Sequence, residues 1–153
     1  MRKSEQEITD RGEVEAILRR ARVVHVGMVD DGRPYVVPMN FGYADGCLIL
    51  HSAPEGRKID VLRRNPDVCF EVTVDAAVVP GDAPCRYGAK YRSVIGYGTA
   101  TFIEDPGEKA RALDALMGKF ASGPFEYSPK AVSRAAIIRV EIQSMTGKQA
   151  GYG

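Results

Sequence analysis

The chain has 153 residues, 44% hydrophobic and 27% charged, the make-up of one soluble globular domain large enough to bury a core. A net charge of +1 supplies no global field for nucleic acid or an anionic membrane, so any anion site has to be local. Three cysteines without a C-x-x-C pair and only two histidines argue against a disulfide framework and a metal site. In chain order, the first predicted element is a helix over 10–22. Asp10 caps it, Glu13 completes a capping box, and Val14, Ile17, Leu18 and Ala21 share one face. A strand over 23–29 follows, then an Asp30-Asp31-Gly32-Arg33 hairpin turn and a returning strand over 35–43. A second turn at 44–46 leads into a strand over 47–52, which completes an antiparallel meander.

A short helix is expected at 57–65, stopped by Asn65-Pro66, and then a strand over 68–74. Residues 79–90 hold two prolines and two glycines and read as a loop, long enough to suggest a functional role. A long strand pattern covers 91–104, where Gly96 and Gly98 suggest a bulge or a close approach. Asp105-Pro106 opens a helix whose apolar face is Ala110, Leu113, Leu116, Met117 and Phe120. Residues 121–134 read as irregular and 135–142 as the last strand. The expected fold is mainly β: a single domain over 1–153, built as a six-stranded antiparallel barrel with peripheral helices. No apolar run is long enough to span a membrane, and MRKSEQEITD lacks the apolar core of a signal peptide, so a cytoplasmic location is expected.

The stretch LILHSAPEGRKID puts Arg57 and Lys58 in the first turn of the short helix, where backbone N–H groups already carry partial positive charge. Cations there disfavour the helix unless they share an anion. A phosphate held by Ser52, Arg57, Lys58 and the free amides is one reading; a solvated pair partly neutralised by Glu55 and Asp60 is the other. His51 ends the preceding strand, a place where a histidine is more often structural than catalytic. Pro38 inside a strand belongs at an edge or a bulge, and nearby Asn40 could read the donors and acceptors of a heterocycle. On the long strand, Tyr91, Ser93, Ile95 and Tyr97 face one way, and Arg92, Val94 and Gly96 the other. Arg92 among apolar neighbours needs an anionic or aromatic partner. Cys85 has no base near it in sequence and reads as inert. Dinucleotide-fold, P-loop, zincin and serine-hydrolase motifs are all absent.

Taken together, GRPYVVPMNFGY, LILHSAPEGRKIDVLRRNPDVCFEV, YRSVIGYGTATFIED and IIRVEIQSMTGK resemble the pyridoxamine 5′-phosphate oxidase-like flavoproteins, in the branch of the nitroimidazole-resistance (Nim-type) proteins. The resemblance implies a six-stranded split barrel, a homodimer and flavin mononucleotide (FMN) in a cleft between subunits. It assigns Arg57 and Lys58, with Ser52 beside them, to the FMN phosphate. Pro38, Met39, Asn40 and Phe41 match the strand along the isoalloxazine ring, and His51 a histidine close to the flavin. Tyr91, Arg92 and Ser93 match the strand that approaches the cofactor from the other subunit. The C-terminal TGKQAGYG lacks the Arg/His segment of pyridoxamine phosphate oxidases, which argues against vitamin B6 oxidation. The implied activity is FMN-dependent reduction of small electrophiles such as nitroaromatics or quinones, with NADH or NADPH as candidate electron donor and His51 as candidate proton donor. The alternatives are a flavin- or haem-binding module without turnover and a deazaflavin-dependent reductase, since one scaffold hosts several chemistries.

Overall fold

The computed structural model describes residues 3–152. A 3₁₀ turn over Ser4–Gln6 leads into β1 (Glu7–Ile8), α1 (Arg11–Arg20), β2 (Val23–Asp30), β3 (Arg33–Ala44), β4 (Cys47–Ser52) and α2 (Arg57–Arg64). Then come β5 (Asp67–Val79), β6 (Gly88–Ile103), α3 (Pro106–Met117), α4 (Pro129–Arg134) and β7 (Ala136–Ala150). Six strands close a ring in the order β7-β4-β3-β2-β5-β6, with β6 pairing back onto β7, and the two-residue β1 adds outside β7. The paired strands are antiparallel throughout. The meander, the split-barrel class and the peripheral helices therefore stand as the sequence suggests.

Period-2 alternation sets the inside of the barrel. Val24, Val26 and Met28 of β2 point inward, as do Phe41, Leu48, Leu50, Phe70, Val72, Val94, Ile138 and Val140 from the other strands. The helices seal what the ring leaves open. Asp10 caps α1 through a 2.8 Å bond from the Glu13 amide, and Val14, Ile17 and Leu18 close over the core. α2 inserts Ile59, Val61 and Leu62. α3 covers the outside of β4 and β7 through a smaller cluster of Ile49, Ile103, Ala112 and Ile137. At Gly42 it presses on β3 so closely that an added Cβ would lie 2.7 Å from the Leu116 backbone nitrogen.

Three stretches differ from the sequence reading. Residues 79–90 do not form one long loop: β5 runs on to Val79 and β6 begins at Gly88, leaving only residues 80–87 as the connection. Asp75, at φ 55°, makes a bulge that shifts the β5–β6 register between Val74 and Ala77 and hides the continuing ladder from the alternation pattern. α4 forms inside the stretch expected to be irregular, with Ser128 accepting from the Ala131 amide and Pro129 at its first position. β7 extends to Ala150 although its second half is polar, because β6 supplies a partner as far as Tyr91. The bulge expected from Gly96 and Gly98 is present: the β6–β7 register shifts between Tyr97 and Gly98.

Lys119, just past α3, locks that helix to α1. Its Nζ donates to the carbonyls of Leu18 (2.8 Å) and Ala21 (2.7 Å) and lies 3.3 Å from the Phe41 ring centroid. These are C-terminal carbonyls of α1 that lack an intrahelical donor. Burial disfavours the ammonium and pulls its pKa from the ordinary 10.5 down to about 8. The unfolded chain therefore binds more protons between those values, and this group's contribution to stability grows as pH rises through that window. The neutral amine still has a hydrogen for each carbonyl. Chemical denaturation at several pH values should show the stability difference between wild type and Lys119→Met widening from pH 7.5 to 10.5.

Candidate functional site

β3 changes partners partway along its length. Residues 33–40 pair only with β2, from Asp30↔Arg33 to Val23↔Asn40, and residues 41–44 pair only with β4, from Phe41↔Leu50 to Ala44↔Cys47. The barrel is split where the change occurs. His51 and Ser52, the last residues of β4, pair with Ile137 and Ala136 of β7 and have no rung to β3. Pro38 accordingly lies where β3 has a neighbour on one side only, the edge expected for a residue without an N–H.

The pleat sorts the four residues expected along a flavin ring. Met39 and Phe41 point into the core, Phe41 fully buried, so they can meet an outside ligand only through their backbone. Pro38 and Asn40 face outward and are exposed. Asn40 spends one amide hydrogen on the Arg22 carbonyl at 3.0 Å and keeps its side-chain oxygen available. His51 is exposed at the end of β4, with no hydrogen-bond partner among the described residues, and Ser52 is half-buried beside it.

Five residues after Ser52 α2 begins. Gly56, at φ 126°, turns the chain into it, a conformation that favours glycine. The Arg57 and Lys58 amides head the helix without a backbone acceptor, since the first helical bonds to Gly56 come from Ile59 and Asp60. Arg57 is not balanced by Glu55 or Asp60. Its Nε donates to Asp30 Oδ2 at 2.9 Å and its guanidinium carbon sits 4.1 Å from the Tyr35 ring centroid. Arg64, from the far end of the same helix, reaches Asp30 Oδ1 at 2.7 Å and Asp31 at 3.1 Å. The Arg57 and Arg64 guanidinium groups hold the Asp30 carboxyl below the usual carboxylate range. Lys58, half-buried, has no ion-pair partner among the described residues. Asp30, Asp31 and Tyr35 were legible only as turn and strand; their one cue is an acidic hairpin in a chain whose next helix is arginine-rich.

Arg92 lies elsewhere. It donates to Asp75 at 2.8 Å and stacks 3.9 Å above the Tyr152 ring, so it has both kinds of partner its sequence context demands. Asp75 also binds Arg20, and its carbonyl accepts from the Tyr152 hydroxyl at 2.7 Å. This cluster adjoins the Val23 end of β2, whereas Arg57 is tied to Asp30 at the other end. Eight residues separate the two places, roughly 24 Å along an extended strand. Tyr91 is half-buried under Lys148, and Ser93 is buried at 9% exposure. Within one chain, then, 38–41 and 51–52 flank the split, Arg57 is tied to the Asp30 end of β2, and Arg92 is tied to the β5 bulge on the side of β2 away from β3.

Outward residues of β2, β3, β5 and β6 form a further apolar face. Val29, Val36, Ile95 and Tyr97 are exposed, Val36 by 62%, along a groove of about 660 Å³ that also reaches Cys69 and His25. His25 bonds Glu71 at 3.1 Å, and Thr73 donates to the same carboxylate. Among the described residues no His/Cys/Asp/Glu group could hold a metal ion, and no helix is long and apolar enough to cross a membrane.

A split antiparallel barrel covered by helices, one of which opens on two cations, defines a class of small β proteins. The chain belongs to the pyridoxamine 5′-phosphate oxidase family, whose model matches residues 10–149. It is 40% identical to a candidate 5-nitroimidazole antibiotic resistance protein from Bacteroides thetaiotaomicron, with a TM-score of 0.85 over 94% of this chain and 86% of that one. A FAD-binding protein from Mesorhizobium loti is 25% identical, with a TM-score of 0.68 over 93% and 96%. A FAD- and haem-binding protein from Mycobacterium smegmatis, 22% identical, shares the fold at a TM-score of 0.86 over 96% of this chain and 74% of that one. No curated protein matches the chain significantly.

Proposed function

We propose that this chain is an FMN-binding flavoprotein that reduces small electrophilic molecules such as nitroaromatics or quinones. The observation that carries the reading is the start of α2. Two adjacent cations, two unbonded amides and the positive end of the helix dipole share its first turn, a donor set suited to a phosphate dianion. Among the described residues Lys58 has no ion-pair partner, and no hydrogen bond occupies the terminal nitrogens of Arg57. Further support comes from the relatives: one is described as a nitroimidazole-resistance protein and two as FAD-binding.

In this arrangement Arg57, Lys58 and Ser52 hold the phosphate, and Pro38 and Asn40 border the ring, with the Asn40 side-chain oxygen as an acceptor. When bound, FMN would supply the electron chemistry, with NADH or NADPH as the candidate electron donor. His51, exposed at the opening, serves as proton donor or orienting group through its ring nitrogens. The exposed Val36, Ile95 and Tyr97 face is proposed to be covered by a second copy of the chain. That homodimer makes the cleft deep enough for a flat ligand and brings the partner's 91–93 strand to the site, since one chain's own Arg92 is engaged with Asp75 and Tyr152.

Arg57→Ala combined with Lys58→Ala should weaken FMN at least about tenfold and leave riboflavin, which has no phosphate, nearly unchanged. Fluorescence titration with both ligands measures this, and equal losses would refute the phosphate role. His51→Asn should retain FMN while slowing reductase turnover by about 10²-fold or more, the usual contribution of a general acid. Unchanged turnover would make His51 structural. Sedimentation at micromolar concentration should show only dimer, and Val36→Asp combined with Tyr97→Asp should give monomer with weakened FMN. A wild-type monomer that binds FMN tightly would overturn the shared site.

A further inference from the structure

We infer that Asp30 is a positioning residue for the phosphate end of the site: its carboxylate fixes the Arg57 guanidinium by one edge, so that both terminal amino groups are presented to the ligand. This rests on the reading of Arg57 as a phosphate anchor.

An arginine at an exposed helix start has a long, flexible stem and would otherwise spread over many rotamers, a cost that binding has to meet. Two contacts from outside α2 restrain this one. Asp30 Oδ2 takes the Nε hydrogen at 2.9 Å, and the Tyr35 ring lies under the guanidinium at 4.1 Å. One contact holds an edge of the planar group and the other a face, which together define its orientation. The Nε bond uses one of five guanidinium hydrogens and leaves four on the terminal nitrogens, the fork that matches phosphate oxygens.

Asp30 is itself held. Its other oxygen accepts from Arg64 at 2.7 Å, Arg64 also bonds Asp31, and the Asp30 side chain is only 16% exposed. Both ends of α2 are thereby clamped to one carboxylate in the β2–β3 turn. The clamp also sets the local charge. Asp30 and Asp31 offset Arg57 and Arg64, so that among the described residues Lys58 and the first helix amides keep their positive charge without an ion-pair partner at the start of α2. A carboxylate near a dianion also repels it, so the sign of the effect of removing Asp30 separates a positioning role from a competing one.

FMN and riboflavin affinities of the full chain should be measured for Asp30→Ala, Asp30→Asn, Arg57→Ala, Asp31→Asn and the Asp30→Ala/Arg57→Ala pair. Asp30→Ala is expected to weaken FMN between about twofold and tenfold while riboflavin is unchanged, the range for losing the pre-ordering of one long side chain. Asp30→Asn, whose single acceptor oxygen has to serve two arginines, should show a smaller loss of the same kind and decides the matter if the alanine variant does not fold. Asp31→Asn, which touches only Arg64, should leave the FMN-to-riboflavin ratio unchanged, and the double variant should be no worse than Arg57→Ala alone. FMN binding unchanged or tightened without Asp30, or both ligands weakened equally, overturns the positioning role. An Arg57→Ala variant with an unchanged ratio removes the phosphate reading itself, which keeps the two failures distinct.

Discussion

The architecture turns on the point where β3 exchanges one neighbour for another. Up to Asn40 it is laddered to β2, and from Phe41 onward to β4, with no residue bonded to both. A sheet of six strands cannot close smoothly through such a corner, so the ring stays split there and something else has to cover the core. α2, packed on β2, contributes to that cover: Ile59, Val61 and Leu62 bury themselves in the main cluster, and burying three such side chains contributes on the order of 1.5–3 kcal/mol each. That packing fixes the first turn of α2 next to Asp30 and Tyr35, so the placement of Arg57 and Lys58 follows from covering the core.

Electrostatics then resolves the conflict created by cations at a helix start. The dipole disfavours Arg57 by a few tenths of a kcal/mol to about 1 kcal/mol. The acidic turn at Asp30 and the Tyr35 ring offset that cost in the free protein, and they come from the strands α2 rests on. Lys58 has no such partner among the described residues. The two adjacent cations thus divide the work, one pre-ordered by the barrel and one left with its charge uncompensated. Arg92 shows the other outcome for a cation on a strand: paired with Asp75 and stacked on Tyr152, it binds the chain's own C-terminal segment to the β5 bulge.

Much of this was legible in the sequence because it rests on local chemistry. The α1 cap at Asp10, the meander with its Asp-Gly turns, the edge position of Pro38 and the cationic opening of α2 follow from residue types within a few positions of one another. The long resemblance supplied the split that local patterns could not. What escaped depends on distant pairing. The second half of β7 is polar and becomes a strand only because β6 offers it a ladder, and β5 continues past Asp75 through a bulge that breaks the alternation. Asp30 and Tyr35 meet Arg57 across more than twenty residues, a contact no spacing rule encodes. Met39 and Phe41 are two of the four residues expected along a ring, yet the pleat turns their side chains inward.

The central claim, that the first turn of α2 holds a phosphate dianion, is tested most directly by the phosphorus resonance of FMN bound to the protein, followed as pH is lowered from 8 to 5. Free phosphate monoesters take up a proton near pH 6. Two cations and two free amides favour the dianion, so the bound resonance should stay nearly constant across that range and recover ordinary titration with Arg57→Ala/Lys58→Ala. A bound phosphate that titrates near pH 6 in the wild-type protein would contradict the account.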